Sequence, residues 1–165
     1  MLALWCGLRL NEIRELRWPE DVNLSEGHID VREETTKTPS GARAVPIDSF
    51  LVSHIDRYIQ DERPSRIPGP LFLNQHGRPF TYHGFARVQS RLHDRLKGAG
   101  VADYKLHRLR HTWTTAVHRL GVSVFDIQQL GGWSDLNMVR RYTGQRSIGE
   151  LRRLPSVTSI YGNVV

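Results

Sequence analysis

Cysteine is almost missing from this chain of 165 residues. Cys6 stands alone, which excludes an internal disulfide framework and a cysteine metal site, and makes a reducing cytoplasm the simplest expected home. Long apolar runs are missing too. None approaches the roughly 20 residues that span a bilayer, and MLALWCGL at 1–8 is too short for a signal peptide and is followed by no cleavage pattern. Acids are missing from 63–93, a stretch that contains Arg63, Arg66, Arg78, Arg87 and Arg91.

What is present is positive charge. The net charge is +6, which favours an anionic partner. Lys105, Arg108, Arg110 and Arg119 extend the basic stretch with only Asp94 and Asp103 nearby. The acids gather early, in Glu20, Asp21, Glu26, Asp30, Glu33 and Glu34. A segregated basic face points to nucleic acid rather than to a generic solubilising surface.

Hydrophobic period divides the chain into helices around one β-rich stretch. Leu2, Leu4, Trp5 and Leu8 read as the end of a helix. Asn11 reads as the N-cap of a short helix that carries Ile13 and Leu16 and stops at Pro19. Between 22 and 47, turns at Ser25-Glu26-Gly27 and Pro39-Ser40-Gly41 separate β-rich runs, which predicts three short antiparallel strands. Asp48 is placed to cap a helix with Leu51, Ile55 and Ile59 on one face and Pro64 at its end. Phe85, Val88, Leu92 and Leu96 recur at helical spacing as far as Gly98. Leu109, Trp113, Ala116, Val117 and Leu120 make a further apolar stripe. Ser123 and Asp126 have capping-box spacing ahead of Val124, Ile127 and Leu130. Ser134 is placed to cap a last helix with Leu136, Val139 and Tyr142. The expected class is α+β, mainly helical with one small three-stranded antiparallel sheet, in a single domain over 1–165.

Chemistry is densest in LHRLRHTW at 106–113. On a helix His107 lies three residues from Arg110 and four from His111, so these side chains are neighbours, while Leu109 and Trp113 turn to the core. The His pair has the spacing of a zinc helix, but HEXXH needs Glu after the first His and Arg108 stands there, so no metal site is expected. On this segment alone, a basic helix lying on phosphate without catalysis stays open. CGLRLNEIREL at 6–16 puts Arg9 beside a helix start, whose free N–H groups favour anions, with Glu12 in reach for a bidentate pair. By themselves these two read more simply as a surface ion pair of little worth. Lys37 falls within TKT at 36–38, at a hairpin tip, where a lysine is ordinarily just solvated. Tyr142 lies nine residues after Trp133 in LGGWSDLNMVRRYTG, near a helix end where a lone tyrosine is most often packing or surface.

Together and in this order the four pieces resemble the catalytic domain of the tyrosine recombinases, the phage integrase family. That family's G-L-R-x-x-E motif is matched by Gly7-Leu8-Arg9 with Glu12, and its hairpin lysine by Lys37 within TKTPSGARAVPI. Its H-x-L-R-H motif is matched by His107 to His111, and its leucine–glycine–His-or-Trp motif, with a tyrosine nine residues on, by Trp133 and Tyr142. The resemblance covers about residues 4 to 144.

The resemblance implies the DNA breaking–rejoining fold and a set of roles. Tyr142 would attack phosphorus, forming a 3′-phosphotyrosyl link and freeing a 5′-hydroxyl, with no metal, ATP or other cofactor. Arg9 and Arg110 would clamp the non-bridging oxygens with planar forks suited to phosphate. His107 would assist proton transfer from Tyr142. Lys37 would protonate the departing oxygen, general acid catalysis being worth roughly a hundred- to ten-thousand-fold. Trp133 stands where many relatives have histidine and would orient and pack, because an indole donates one N–H and moves no proton. Glu12 would buttress Arg9, and His111 would give structural support. Lys105, Arg108, Arg87 and Arg91 are expected on the DNA backbone.

The implied partner is double-stranded DNA, with the full-length protein a tetramer on it and this chain alone a monomer. The implied reaction is site-specific recombination by a phage-encoded or bacterial, nucleoid-associated enzyme without a membrane role. Relatives carry a separate N-terminal clamping domain that has no counterpart here, so the chain is expected to be N-terminally truncated, with weak affinity and poor site choice. Residues 145–165, with Arg152 and Arg153 beside Leu151 and Leu154, are expected to dock on a neighbouring subunit or to fold back. Tyr161 lacks the spacing from Trp133 that marks Tyr142. Two alternatives remain open: a catalytically silent DNA-binding domain, against which the complete Tyr142 set argues, and a type IB topoisomerase, against which LGGW argues.

Overall fold

The structure, a computed structural model, describes residues 1–36, 38–101, 105–144 and 147–152. The elements run α1 Leu2–Trp5, α2 Leu10–Glu15, β1 Arg17–Trp18, β2 Val22–Asn23, β3 His28–Val31, β4 Arg43–Pro46, α3 Ser49–Arg57, β5 Gly69–Pro70, α4 Tyr82–Gly98, α5 Leu106–Arg119, α6 Val124–Gly131, α7 Leu136–Thr143 and α8 Ile148–Leu151. The expected three-stranded antiparallel sheet is present in the order β2-β3-β4, with Ile29 opposite both Val22 and Val45. Its strands alternate as a half-buried sheet must: Ile29 and Val31 point into the core while Asp30 points out. Between β3 and β4 the chain leaves the sheet through two short 3₁₀ turns, Glu33–Thr35 and Pro39–Gly41. A second, two-stranded sheet, β1 with β5, was not legible in the sequence.

Two of the expected caps stand and two move. Asp48 accepts the Leu51 N–H at 2.9 Å, and Ser123 accepts the Asp126 N–H at 3.1 Å. Helix α2, however, starts at Leu10 with Arg9 at its N-cap, because the Glu12 carboxylate reaches back to the Arg9 N–H at 2.7 Å. Asn11 therefore lies inside the first turn. Helix α7 is capped by Asp135, which accepts the Asn137 N–H at 2.9 Å, rather than by Ser134.

Burial falls into two clusters. The larger joins α1, α2, the sheets and α3 through Leu8, Ile13, Ile29, Leu51 and Leu71. The smaller joins α5, α6 and α7 through Trp113, Ile127, Trp133 and Val139. Burying each large apolar side chain contributes about 1.5–3 kcal/mol. The α4 stripe forms the expected helix but is only partly covered. Phe85 leans on the larger cluster, but Val88 and Leu92 stay exposed, on a groove of about 420 Å³ shared with Leu51, Ile55 and Phe72. Leu120 is 82% exposed, because it lies past the last full turn of α5, at its C-cap. Arg63 does not contribute to the basic face. It is buried, donates to the carbonyls of Leu71 (3.1 Å) and Pro70 (2.9 Å), and stacks on Trp18. Among the described residues no helix is long and apolar enough to cross a membrane.

Candidate active site

A basin of about 910 Å³ opens where the start of α2, the excursion between β3 and β4, one face of α4, the start of α5 and the α6–α7 loop converge. Arg9, Lys105, His107, Arg110, Trp133 and Tyr142 all line it. Residues more than 100 positions apart in the sequence thus surround one open space.

Arg9 enters from the N-cap of α2. Its Nη1 pairs with Glu12 Oε1 at 2.6 Å and its Nη2 donates to the Gly132 carbonyl at 2.7 Å. The Arg9 side chain is 34% exposed toward the basin, whereas Glu12 is 1% exposed. This is not the surface ion pair that the two residues suggest on their own. Burial pushes the Glu12 carboxyl up, but the hydrogen bonds and charge of Arg43 and then of Arg9 outweigh it and hold the group below its ordinary value.

Arg110 enters from α5 and is 4% exposed. Its Nη1 donates to the Gly7 carbonyl and its Nη2 to the Gly131 carbonyl. The guanidinium lies over the Trp133 ring at 4.0 Å, and Trp133 in turn stacks on Trp113 at 6.4 Å. Burial first, and then the Arg9 charge, push Arg110 down to about 9. A cation in that state gains from an anion placed beside it. The glycines are required by contact. A Cβ on Gly7 would fall 2.3 Å from the Trp113 ring, and one on Gly131 would fall 1.9 Å from the Trp133 ring. The G-L-R and L-G-G-W motifs therefore supply carbonyls at close range to the two arginines.

The third group is a column of rings. His107 meets His111 edge-on at 4.5 Å, and His111 meets Tyr142 edge-on at 3.8 Å. Trp133 lies 6.1 Å from Tyr142 on another side. The Thr115 hydroxyl donates to the Tyr142 carbonyl at 2.9 Å, tying α7 to α5. Burial, followed by the charges of His107, Arg110 and Arg108, holds His111 below its ordinary value, which favours a neutral imidazole against Tyr142.

Of the remaining sequence candidates, Lys37 lies outside the described residues. Lys105 is exposed and lines the basin, and Arg108 is exposed one residue beyond His107. Arg87 and Arg91 are exposed on α4 but do not line the basin, because α4 turns Ala86, Gln89, Ser90 and His93 toward it. Sequence reasoning missed Gln89, whose Nε2 is buried with no hydrogen-bond partner among the described residues and so leaves a donor at the basin wall. It also missed Arg43, a strand arginine whose side chain is 4% exposed. One arginine among several in a basic chain carries no sequence signal of burial.

Comparison with known proteins agrees with this geometry. The family model described as "Phage integrase family" matches residues 1–147. The chain is 30% identical to the tyrosine recombinase XerC of Lactobacillus delbrueckii subsp. bulgaricus over 142 residues, covering 83% of this chain and 46% of that protein. It spans about half the length of the curated relatives it matches. Among solved structures, the XerA recombinase superposes with a TM-score of 0.72 at 24% identity, over 99% of this chain and 53% of that one. The Tn1549 transposon integrase, solved in complex with transposon right end DNA, superposes with a TM-score of 0.75 at 21% identity, over 92% of this chain and 55% of that one. By the family match, and with Arg9, His107, Arg110, Trp133 and Tyr142 lining one basin, the chain belongs to the phage integrase family.

Proposed function

We propose that this chain is the catalytic part of a site-specific recombinase that cleaves and rejoins DNA through Tyr142. The observation that carries the reading is the single basin lined by Arg9, His107, Arg110 and Tyr142. The Tyr142 oxygen attacks the scissile phosphorus and the bond from phosphorus to the 5′-oxygen breaks. The phenolic proton leaves with the help of His107, and the 5′-oxygen gains a proton, from Lys37 by its match to the family motif. Arg9 and Arg110 stabilise the charge that builds on the non-bridging oxygens, the kind of preorganised interaction that is usually the largest single contribution to the rate enhancement. Trp133 holds the Arg110 plane rather than moving a proton. The reading includes double-stranded DNA as substrate, a homotetramer of the full-length protein on that DNA, and action in the bacterial cytoplasm on phage or mobile-element sequences.

The test uses a random-sequence library of duplexes carrying a nick beside the cleavage position, so that the short 5′-hydroxyl product diffuses away. An SDS-stable protein–DNA adduct is expected with the wild-type chain and none with Tyr142→Phe. Retained binding without any wild-type adduct overturns cleavage by this chain and leaves the silent DNA-binding domain.

A further inference from the structure

We propose that Arg43 is an electrostatic positioning residue: it takes up the charge of Glu12, so that Arg9 keeps its own charge for phosphate. The inference rests on the reading of the basin as a phosphate site.

Glu12 is a single buried negative charge facing two guanidiniums. Arg9 reaches it from the basin side, by Nη1 at 2.6 Å and by its backbone N–H at 2.7 Å. Arg43 reaches it from behind, Nη1 to Oε1 at 3.2 Å and Nη2 to Oε2 at 3.1 Å. The Glu12–Arg43 contact is closed to water, whereas Arg9 is open to the basin. With two cations and one anion the trio carries one net positive charge, and the exposed member presents it. Without Arg43 the trio would be neutral, and Arg9 would offer phosphate a geometry without a net charge.

Arg43 has no capacity to serve phosphate directly. Its Nε donates to the Leu130 carbonyl at 2.6 Å and its Nη1 to the Gly41 carbonyl at 2.7 Å. Together with the two bonds to Glu12, these contacts occupy most of the five N–H groups of a guanidinium. Arg43 is also absent from the basin wall. The lowering of the Glu12 carboxyl agrees with this arrangement, since Arg43 opposes the effect of burial more strongly than Arg9 does. A purely mechanical role for Arg43, tethering β4 to α6, makes a different prediction when Glu12 is altered.

The probe is inorganic tungstate, a phosphate-like oxyanion, titrated calorimetrically at low salt into the full 165-residue chain, with a thermal melt for each variant. Arg43→Met is expected to weaken binding about tenfold, the effect of one partly screened charge at this range. Glu12→Gln with Arg43→Met restores the net charge and is expected to return binding to within about threefold of wild type, although both variants melt lower. Glu12→Gln alone leaves two uncompensated cations and is expected to bind more tightly than wild type. A tether predicts that the double variant binds no better than Arg43→Met, and that outcome overturns the proposal. If Arg43→Met does not fold, Glu12→Gln decides: weaker binding overturns the proposal and tighter binding supports it. Failure of the wild type to bind tungstate overturns this inference together with the phosphate site. The compensating pattern without a DNA adduct supports the charge role while the cleavage reading fails.

Discussion

Arg9 and Arg110 face the same basin and are held in opposite ways. Arg9, on the wall built by the larger cluster, leans on a buried carboxylate. Arg110, on the three-helix wall, is held by the carbonyls of Gly7 and Gly131 and by the Trp133 ring, with no salt bridge among the described residues. A carboxylate orients well but cancels charge. Carbonyls and an aromatic face orient through dipoles and a quadrupole and cancel little. The carboxylate wall therefore needs a second cation behind it, and Arg43 is there. The carbonyl wall needs no such cation, and its arginine is left as the more strained ion, pushed down to about 9.

The comparison breaks most completely at Arg110. Arg110→Met leaves the Gly7 and Gly131 carbonyls without their donor, at about 1–3 kcal/mol for each buried group. It also removes an oxyanion donor, so the single-turnover rate of adduct formation on nicked DNA is expected to fall by about 10²–10³ or more. Next is Gly131→Ala. Its Cβ would sit 1.9 Å from the Trp133 ring, so the ring must leave the Arg110 plane. Overpacking of this kind costs about 1–3 kcal/mol in urea denaturation, and adduct formation should fall with it.

A smaller effect separates the two walls by pH. The Glu12 carboxyl is held below its ordinary value, so its contribution to stability is fully present above the unfolded value, at neutral pH. It is lost as pH falls through the lowered folded value, and Glu12→Gln should flatten that acid limb in urea melts. The smallest effect is expected at Trp133→Phe. A phenyl face still lies under the guanidinium, so adduct formation should change only a few-fold, while the smaller ring costs about 1–2 kcal/mol of packing in the cluster. A large loss there would mean that the indole N–H acts on the substrate rather than the ring acting on Arg110.

Much of the helical frame was legible because its signals are local. Asp48 and Ser123 act as caps where their spacing indicated, and Leu51, Ile55 and Ile59 are buried as one stripe. Local signals failed where two candidates competed. Arg9 displaced Asn11 because Glu12 supplies the acceptor, and Asp135 displaced Ser134. The helical period of the α4 stripe was legible, but period does not say whether a partner covers the face, and Val88 and Leu92 stay exposed. The β1–β5 pair escaped because its strands have two residues each and lie some 50 positions apart in sequence. The basin residues were legible as a constellation of motifs, and Tyr142, Arg110 and Arg9 do share one space. The supports were not legible. The carbonyls of Gly7, Gly131 and Gly132, and the burial of Arg43, depend on contacts between segments that no window of sequence contains together.

Those long-range ties set an order in time. The hydrogen bond from Arg110 to Gly7 spans 103 positions and that from Arg9 to Gly132 spans 123. On a ribosome adding about 5–20 residues per second, roughly 6–25 s separate the emergence of the first arginine from that of its last carbonyl. Throughout that interval the nascent chain carries Arg9 without the Gly132 carbonyl that holds its Nη2. The basin is complete only when the α6–α7 loop has closed onto segments made much earlier, so an unfinished chain holds its arginines without the carbonyls that position them.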